Sequence, residues 1–301
     1  MAQQITSALE AESQRSASVS ARQARQPYQR LSLSVGFYAL LIVIVIVQFF
    51  PLLWALLTSL MTSAETTTIP ATLFPAHPSL ANYVTALQGD IGRYYRNSVI
   101  ASVVSTVVTM VLATLAAYAF ARLRFRLKTP LLIFVLALSL FPPLAQVIPV
   151  YQVLQRLHLL GSLLALIVPY SVLGLPLAVL VLMAFFADVP ADLEEAAMVD
   201  GTTRLGAFLR VIMPVVVPGF FTTAIIVFVA DWNEYLFALN FTNTNTYTLP
   251  VGIVNISQTE FTTNFGVLSA ATILAVVPLI ALILLLERRI VSGLTAGAVK
   301  G

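Results

Sequence analysis

The sequence predicts an all-α polytopic membrane protein with six transmembrane helices, and its composition, its long uncharged stretches and its asymmetric charges each point there. Of the 301 residues, 59% are hydrophobic and only 10% are charged. A soluble domain carries about 25% charged residues. Because a soluble core cannot bury so much apolar surface, lipid must be the solvent for a large part of the chain.

Six uncharged apolar stretches are long enough to cross a bilayer, which takes about 20 residues. They predict spans at about 35–60, 97–121, 129–150, 162–187, 213–238 and 264–286. Two other uncharged stretches, 66–89 and 235–259, contain prolines among many threonines or asparagines. Their polar groups would be unpaired in lipid, so we expect both to be extramembrane loops.

The Lys and Arg residues predict the orientation. With six spans, both termini lie on one side, and that side holds all of the sixteen Lys and Arg residues except Arg93, Arg96 and Arg156. Basic loops stay in the cytoplasm, so both termini are expected to be cytoplasmic. Residues 1–30, rich in Ser, Gln, Ala and Arg, are predicted to form a disordered cytoplasmic tail. The alternative, an organelle transit peptide, is disfavoured by Glu10 and Glu12.

Motifs for enzymatic chemistry are absent from the sequence. There is no phosphate-binding loop, no HExxH, no GxSxG and no cysteine. The two histidines, His77 and His158, are isolated from one another. We therefore expect no catalytic residue, no metal site, no cofactor and no nucleic-acid partner, and no means of hydrolysing ATP within the chain.

The cytoplasmic loop 188–213 is predicted to contain two short helices. Pro190 suits the first turn of the first helix, with Asp188 placed to cap it, and Gly201 supplies the turn that ends it. Apolar residues three and four apart predict one packing stripe per helix. The stripes are Leu193, Ala196 and Ala197 on the first helix, and Leu205, Phe208, Leu209 and Ile212 on the second. The alternative, a helix lying on the membrane, is disfavoured because the first helix is acidic and anionic lipid would repel it.

This loop resembles the EAA loop of ABC importer permeases. Glu195-Ala196-Ala197 is followed by three residues, Gly201, nine residues and then Val-Ile-Met-Pro, with Val211 and Met213 where the family pattern has Ile and Leu. The segments 118–126, 231–239 and 293–301 are also similar to the smaller permease of maltose-type sugar importers. The resemblance covers nearly the whole chain from about Gly36 onward.

The resemblance implies the type I ABC importer permease fold over 31–301, located in a bacterial or archaeal cytoplasmic membrane. It also implies three kinds of partner: a second homologous permease subunit, two ABC ATPase subunits that bind the ATP, and an extracytoplasmic sugar-binding protein. The loop 188–213 would then be the contact with the ATPase. The residues expected to carry this contact are Asp192, Glu194, Glu195, Ala196, Ala197, Asp200, Gly201 and Leu205.

A polar run near the outer end of the fifth predicted span is the candidate for substrate contact. Asp231, Asn233, Glu234 and Tyr235 are expected to face the transport cavity, where carboxylates, amides and aromatic rings contact sugar hydroxyls. The alternative is interfacial anchoring, with Trp232 and Tyr235 in the aromatic belt. The outer loop at about 240–265 is polar and has no Lys or Arg, and the family resemblance implies that it reaches the binding protein.

Other functions are open at this stage. A permease for another polar solute, such as glycerol phosphate or a polyamine, fits the same motif. A secondary transporter would require ionisable residues deep in several spans and an internal repeat, neither of which is clear here. An intramembrane enzyme would need a nucleophile and a base at membrane depth, and no such pair is visible. The sequence does not name the sugar.

Overall fold

The structure, a computed structural model, describes residues 37–38, 40–70, 72–259 and 264–298. Within these residues the chain is helical and contains no strand, as the sequence predicts. The chain divides into two compact units, Met1–Ala55 and Leu56–Gly301. The predicted disordered tail, residues 1–30, lies outside the described residues.

The helices are numbered in chain order. They are α1 (Leu40–Ser59), α2 (Ser63–Thr66), α3 (Ala81–Gln88), α4 (Asp90–Arg122), α5 (Lys128–Leu138), α6 (Pro143–Arg156), α7 (Leu164–Leu173), α8 (Leu175–Asp188), α9 (Ala191–Val199), α10 (Arg204–Ala207), α11 (Met213–Trp232), α12 (Leu236–Phe241), α13 (Leu249–Thr259) and α14 (Phe265–Ala298). A π-helical turn, Phe208–Ile212, joins α10 to α11, so that Arg204–Trp232 is one continuous helix.

Four helices are long and apolar enough to cross a membrane by themselves: α1, α4, the continuous helix Arg204–Trp232, and α14. Two further pairs qualify only when taken together. The pair α5 and α6 is bent by 101°, and the pair α7 and α8 is bent by 43°. The predicted number of six spans therefore holds if each bent pair crosses the membrane once.

The third and fourth predicted spans, 129–150 and 162–187, are each divided into two helices, and proline and glycine explain why. Pro142 has an extended backbone (ψ 136°) and Pro143 begins α6, because proline lacks an N–H and forces the preceding residue out of the helical region. Between α7 and α8, Gly174 lies at the break and Pro176 stands in the first turn of α8, where a missing N–H is tolerated.

The stretches 66–89 and 235–259, which the sequence predicts to be extramembrane loops, contain short helices. In the first, the Asn82 side chain of α3 donates to the carbonyl oxygens of Ser59 (2.9 Å) and Met61 (2.7 Å). In the second, α12 and α13 are packed elements, with Leu249 and Val251 of α13 fully buried. The burial of apolar side chains stabilises these short helices, although the two stretches are polar in overall composition.

The loop between α2 and α3 is held by one carboxylate. Glu65 accepts hydrogen bonds from the backbone N–H (2.7 Å) and hydroxyl (2.9 Å) of Thr62, and from the backbone N–H groups of Ala76 (2.9 Å) and His77 (3.3 Å). These bonds favour the ionised form, with the Thr62 backbone bond contributing most, and they hold the pKa of Glu65 below its ordinary value of 4.5.

The core is organised around α4, which packs against α7, α8 and α11. Its buried face is a stripe of small residues four apart, each with no exposed surface: Ala101, Ser105, Thr109, Ala113 and Ala117. Small residues let helix backbones approach closely, which is the main source of helix association in lipid. Gly174 lies against this stripe, and a Cβ there would be 3.2 Å from the side chain of Thr109.

A glycine also sets the packing between α8 and α11. A Cβ added at Gly219 of α11 would lie 2.2 Å from Cγ of Phe185 in α8. This atom is near the root of the Phe185 side chain, so it cannot move away without shifting the helix. Gly219 is therefore required where Phe185 crosses α11.

We predict that Gly219→Ala destabilises the protein by about 1–3 kcal/mol through overpacking. The clash outweighs the roughly 1 kcal/mol that alanine gains over glycine in a helix. The thermal unfolding midpoint of the purified protein in detergent measures the effect. In a Phe185→Ala background the same substitution should cost almost nothing, because its partner is gone. An equal cost in both backgrounds would contradict this account of the contact.

Candidate functional site

The first candidate region is the loop that contains α9. Gly201 has a φ of +90°, which glycine adopts without strain. The N–H of Thr202 donates to the carbonyl oxygen of Ala197 (3.1 Å), and the N–H of Gly201 donates to that of Met198 (3.1 Å). These two bonds form a Schellman motif, which satisfies the last carbonyl groups of the helix. The predicted turn at Gly201 is confirmed.

The predicted stripe on α9 is wrong in part. The buried residues of this helix are Glu194 (7% exposed) and Ala197 (8% exposed), whereas Leu193 and Ala196 are exposed. Residues three apart share a helix face, so Glu194 and Ala197 define the inward side. Pro190, predicted in the first turn of α9, is instead its N-cap residue, and Asp188 is the last residue of α8.

The second short helix predicted in the loop is the beginning of the long helix that runs to Trp232. Pro214 does not separate the two, because the N–H of Met213 donates to the carbonyl oxygen of Phe208 and a π turn accommodates the proline. Phe208 and Ile212 are buried as predicted. Leu205 and Leu209, predicted in the same stripe, are exposed, at 62% and 56%.

Polar contacts tie α9 to the last turns of α4. The hydroxyl of Tyr118 donates to Oε1 of Glu194 at 2.6 Å, and the Nε atom of Arg204 lies 4.0 Å from the same oxygen. The Arg122 guanidinium donates to the carbonyl oxygen of Val189, just before α9. The sequence predicts no contact for Tyr118, which only begins the segment 118–126 that resembles the smaller permease of maltose-type sugar importers.

The other predicted coupling residues face outward. Besides the buried Glu194 and Ala197, the structure leaves the following predicted residues exposed: Asp192, Glu195, Ala196, Asp200, Gly201 and Leu205. Beside them is a groove of about 630 Å³ between α9 and the loop after α4. Basic side chains of Arg122, Arg124 and Lys128 line one part, and Glu194 and Glu195 line another. This surface presents both signs of charge to a partner.

The second candidate region is the end of α11. The hydroxyl of Ser105 donates to Oδ2 of Asp231 at 2.5 Å, which joins α4 to α11. Glu234 accepts from the hydroxyl of Tyr170 (2.6 Å) and from the backbone N–H groups of Phe237 (2.7 Å) and Ala238 (3.1 Å), so it caps the start of α12. Both carboxylates thus have donors supplied by distant parts of the chain.

Asp231 and Glu234 line a cavity of about 190 Å³, together with Tyr170, Gly174 and apolar side chains of α8, α11 and α12. Ligand pockets in proteins hold about 300–1,000 Å³. This cavity is therefore smaller than a site that holds a complete small-molecule ligand.

The remaining residues of the predicted polar run do not join this cavity. Asn233 is exposed and its amide donates to the carbonyl oxygen of Val229 at 2.7 Å. Tyr235 is half-buried and packs against a core that includes Phe237 and Phe241. The alternative role of Trp232 as an interfacial anchor does not fit, because it is buried and its Nε1 donates to the carbonyl oxygen of Ala275 (3.0 Å).

Comparisons with known proteins identify the family. Residues 109–295 match the model of a family described as binding-protein-dependent transport system inner membrane component. The chain is 44% identical over 254 residues to the sulfoquinovosyl glycerol transport system permease protein SmoH of Agrobacterium fabrum, covering 84% of this chain and 89% of the relative. It is 36% identical over 264 residues to the trehalose/maltose transport system permease protein MalG of Thermococcus litoralis, covering 86% and 94%.

The fold is also found among solved structures. A chain from the crystal structure of a bacterial ABC transporter involved in the import of the acidic polysaccharide alginate superimposes with a TM-score of 0.75. The match covers 85% of this chain and 95% of that chain at 18% identity. At this identity the comparison establishes the fold alone, which this chain shares with a chain of that transporter.

We predict that Ser105→Ala lowers the thermal unfolding midpoint, because it removes a donor from a buried carboxylate, at a cost of about 1–3 kcal/mol. The midpoint is measured by heating the purified protein in detergent and determining the remaining folded fraction by size-exclusion chromatography. Ser171→Ala is the matched control, since both serines are buried and each hydroxyl lies 2.7 Å from a carbonyl oxygen of its own helix (Ile167 for Ser171, Ala101 for Ser105). Only the hydroxyl of Ser105 also reaches a carboxylate. A loss in the control as large as that in Ser105→Ala would show that the carboxylate is not the reason.

Proposed function

Because the chain belongs to the family of binding-protein-dependent transport system inner membrane components, we propose that it is a permease subunit of an ABC importer for sugars. It would form the translocation path with a second, homologous permease subunit. Two ATPase subunits would bind and hydrolyse ATP, and an extracytoplasmic binding protein would deliver the sugar. The proposal rests mainly on α9 and the turn at Gly201 that ends it, here called the α9 turn. A chain without a phosphate-binding loop needs such a surface, through which ATP hydrolysis by a partner subunit is coupled to transport.

Sugars are the substrate class that the relatives favour. Their names specify a sulfoquinovosyl glycerol, trehalose and maltose, which are all glycosides. The cavity at Asp231 and Glu234 combines two carboxyl groups with Tyr170. Carboxylates accept hydrogen bonds from sugar hydroxyls, and a tyrosine hydroxyl can donate to them or accept from them. Since the cavity is too small for a whole disaccharide, the path would be completed by the second permease.

The proposed orientation follows the distribution of basic residues. With six spans, counting each bent pair once, both termini would be in the cytoplasm of a bacterium or archaeon. The loop after α4, with Arg124, Arg126 and Lys128, and the α9 turn would then share the cytoplasmic side. The loop between α12 and α13 would lie outside. The ATPase and the binding protein would therefore act at opposite ends of α4.

The contact with the ATPase would use the outward side of α9. Glu195 and Ala196 are exposed there, and the acidic residues Asp192 and Asp200 flank them. A Cβ added at Gly201 would meet no atom within 4 Å, so a substitution there affects only the backbone conformation of this chain and whatever packs against it from outside.

We predict that Glu195→Lys and Gly201→Val each abolish most sugar uptake while the protein inserts normally. The lysine reverses a charge at the contact, and valine is strained by about 1–2 kcal/mol at positive φ. A tag on the chain should co-purify an ATPase and a second permease with the wild type, and less ATPase with either variant. Uptake of labelled trehalose, maltose and putrescine by the same cells measures transport and tests the substrate class.

Asp90→Lys is the control, because it reverses an exposed charge at the other end of α4, where the ion pair with Arg93 contributes little. It should leave the co-purified ATPase unchanged. If both α9 variants keep full ATPase binding and full uptake, the loop 188–213 only connects two helices and is not the contact with the ATPase. Uptake of putrescine alone would replace the sugar by a polyamine as substrate.

The segment Thr242–Thr248 would contribute to the surface that meets the binding protein. It is held in place, because the Asn97 amide donates to the carbonyl oxygens of Asn245 and Tyr247, each at 3.0 Å. Thr244 at its tip is exposed, whereas Thr248 is buried. Residues 260–263, within the predicted outer loop, lie outside the described residues.

We predict that a cysteine at Thr244 cross-links to the binding protein in intact cells. The natural chain has no cysteine, so the background is clean. A cysteine at Thr248, four residues away but only 4% exposed, is the matched negative control. Mass spectrometry of the cross-linked product identifies the partner. If Thr244→Cys gives no product in any nucleotide state, this segment is not part of the docking surface.

A further inference from the structure

The two ends of α4 hold the two surfaces that face the proposed partners. At its last turns, Tyr118 bonds to Glu194 of α9 and Arg122 bonds to the backbone before it. At its first turns, Asn97 bonds to the segment Thr242–Thr248, and the hydroxyl of Ser98 accepts from the N–H of Leu249 at 2.8 Å. One helix therefore contacts both surfaces by direct hydrogen bonds.

These bonds are buried, which makes them costly to break. Asn97 and Ser98 are 3% and 2% exposed, and Glu194 is 7% exposed. Breaking a buried bond leaves an unsatisfied polar group, so each loop should follow the end of α4 to which it is bonded. The outer segment is also bonded to Gly161. The carbonyl oxygen of Gly161 accepts from the hydroxyl of Thr246 (3.1 Å), and its N–H donates to the carbonyl oxygen of Phe241 (2.8 Å).

Helix α4 is also a candidate span without a proline or a break. It contains no proline, and its only glycine is Gly92 in the first turn. Every other candidate span within the described residues has a proline or a break: α1 contains Pro51, α11 contains Pro218, α14 contains Pro278, and two spans are bent pairs. Prolines permit kinks, so displacement along those spans is absorbed more easily than along α4.

The distance between the two ends fits this role. Asn97 and Tyr118 are separated by about 31 Å at a rise of 1.5 Å per residue, and the hydrocarbon core is about 30 Å thick. We propose that α4 is the transmitter of the coupling signal between the outer segment Thr242–Thr248 and α9, with Asn97 and Tyr118 as positioning residues at its ends. This inference rests on the proposed function.

The test uses the complete complex, purified through a tag on this chain and reconstituted in lipid nanodiscs with the binding protein identified by cross-linking. The affinity for the binding protein is measured with and without a non-hydrolysable ATP analogue. Coupled sites change one another's affinities by factors of about 5–150. In Tyr118→Phe the effect of the analogue should shrink at least about fivefold. The affinity without nucleotide should stay the same, because the outer surface is untouched.

Asn97→Ala should give the reciprocal result at the other end: weaker stimulation of the ATPase by the binding protein, with the affinity for the analogue unchanged. The controls make the same chemical changes in α3. Tyr83→Phe removes a hydroxyl bonded to Ser59 (2.7 Å), and Asn82→Ala removes an amide bonded to two carbonyl oxygens. Both controls should retain the wild-type coupling.

Wild-type coupling in Tyr118→Phe and Asn97→Ala, or an equal loss in the controls, overturns the proposal. If Tyr118→Phe does not assemble, Glu194→Gln weakens the same bond from the other side and is measured in its place. A wild-type complex in which the analogue has no effect on the binding protein contradicts the proposed function itself, which separates that failure from a failure of the transmitter role.

Discussion

Close approach of other helices to one face of α4 is the constraint on which the rest of the structure depends. In lipid, helices gain no hydrophobic energy by associating, so tight packing and interhelical hydrogen bonds must hold them together. The stripe from Ala101 to Ala117, with a small residue at every fourth position, provides the necessary room. The helices α7, α8 and α11 all pack on this helix, and a bulky residue anywhere in the stripe would separate them.

Helix α4 also supplies the hydroxyl donors that buried carboxylates need. A buried charged group is costly unless it is paired and hydrogen-bonded. Ser105 and Tyr118, both on α4, donate to Asp231 and Glu194, which come from two different elements. Because each bond forms only in one register of the neighbouring helix, these pairs fix how far the neighbours slide along α4. Packing brings the helices close, and the hydrogen bonds then select their positions.

The sequence predicted the fold class and the approximate spans because charge gaps depend on composition alone. It placed the second span at 97–121, whereas α4 begins at Asp90, because the charges of Arg93 and Arg96 end the apolar stretch but do not end the helix. The bend of 101° between α5 and α6 does not follow from the length or composition of the predicted span, because it depends on the packing of α6 against α12. The Ser105–Asp231 bond joins residues far apart in the chain, so no local pattern contains it.

The two adjacent glutamates of α9 show why a motif does not by itself reveal the roles of its residues. Successive residues on a helix point about 100° apart, so Glu194 and Glu195 cannot share a face. The structure buries Glu194 against Tyr118 and exposes Glu195. Ala196 and Ala197 divide in the same way, outward and inward. Helix α9 therefore has two different sides, one bonded to α4 and one exposed. Because the nine residues of α9 form one short helix that ends in a Schellman motif, we expect the buried and the exposed side of α9 to move together.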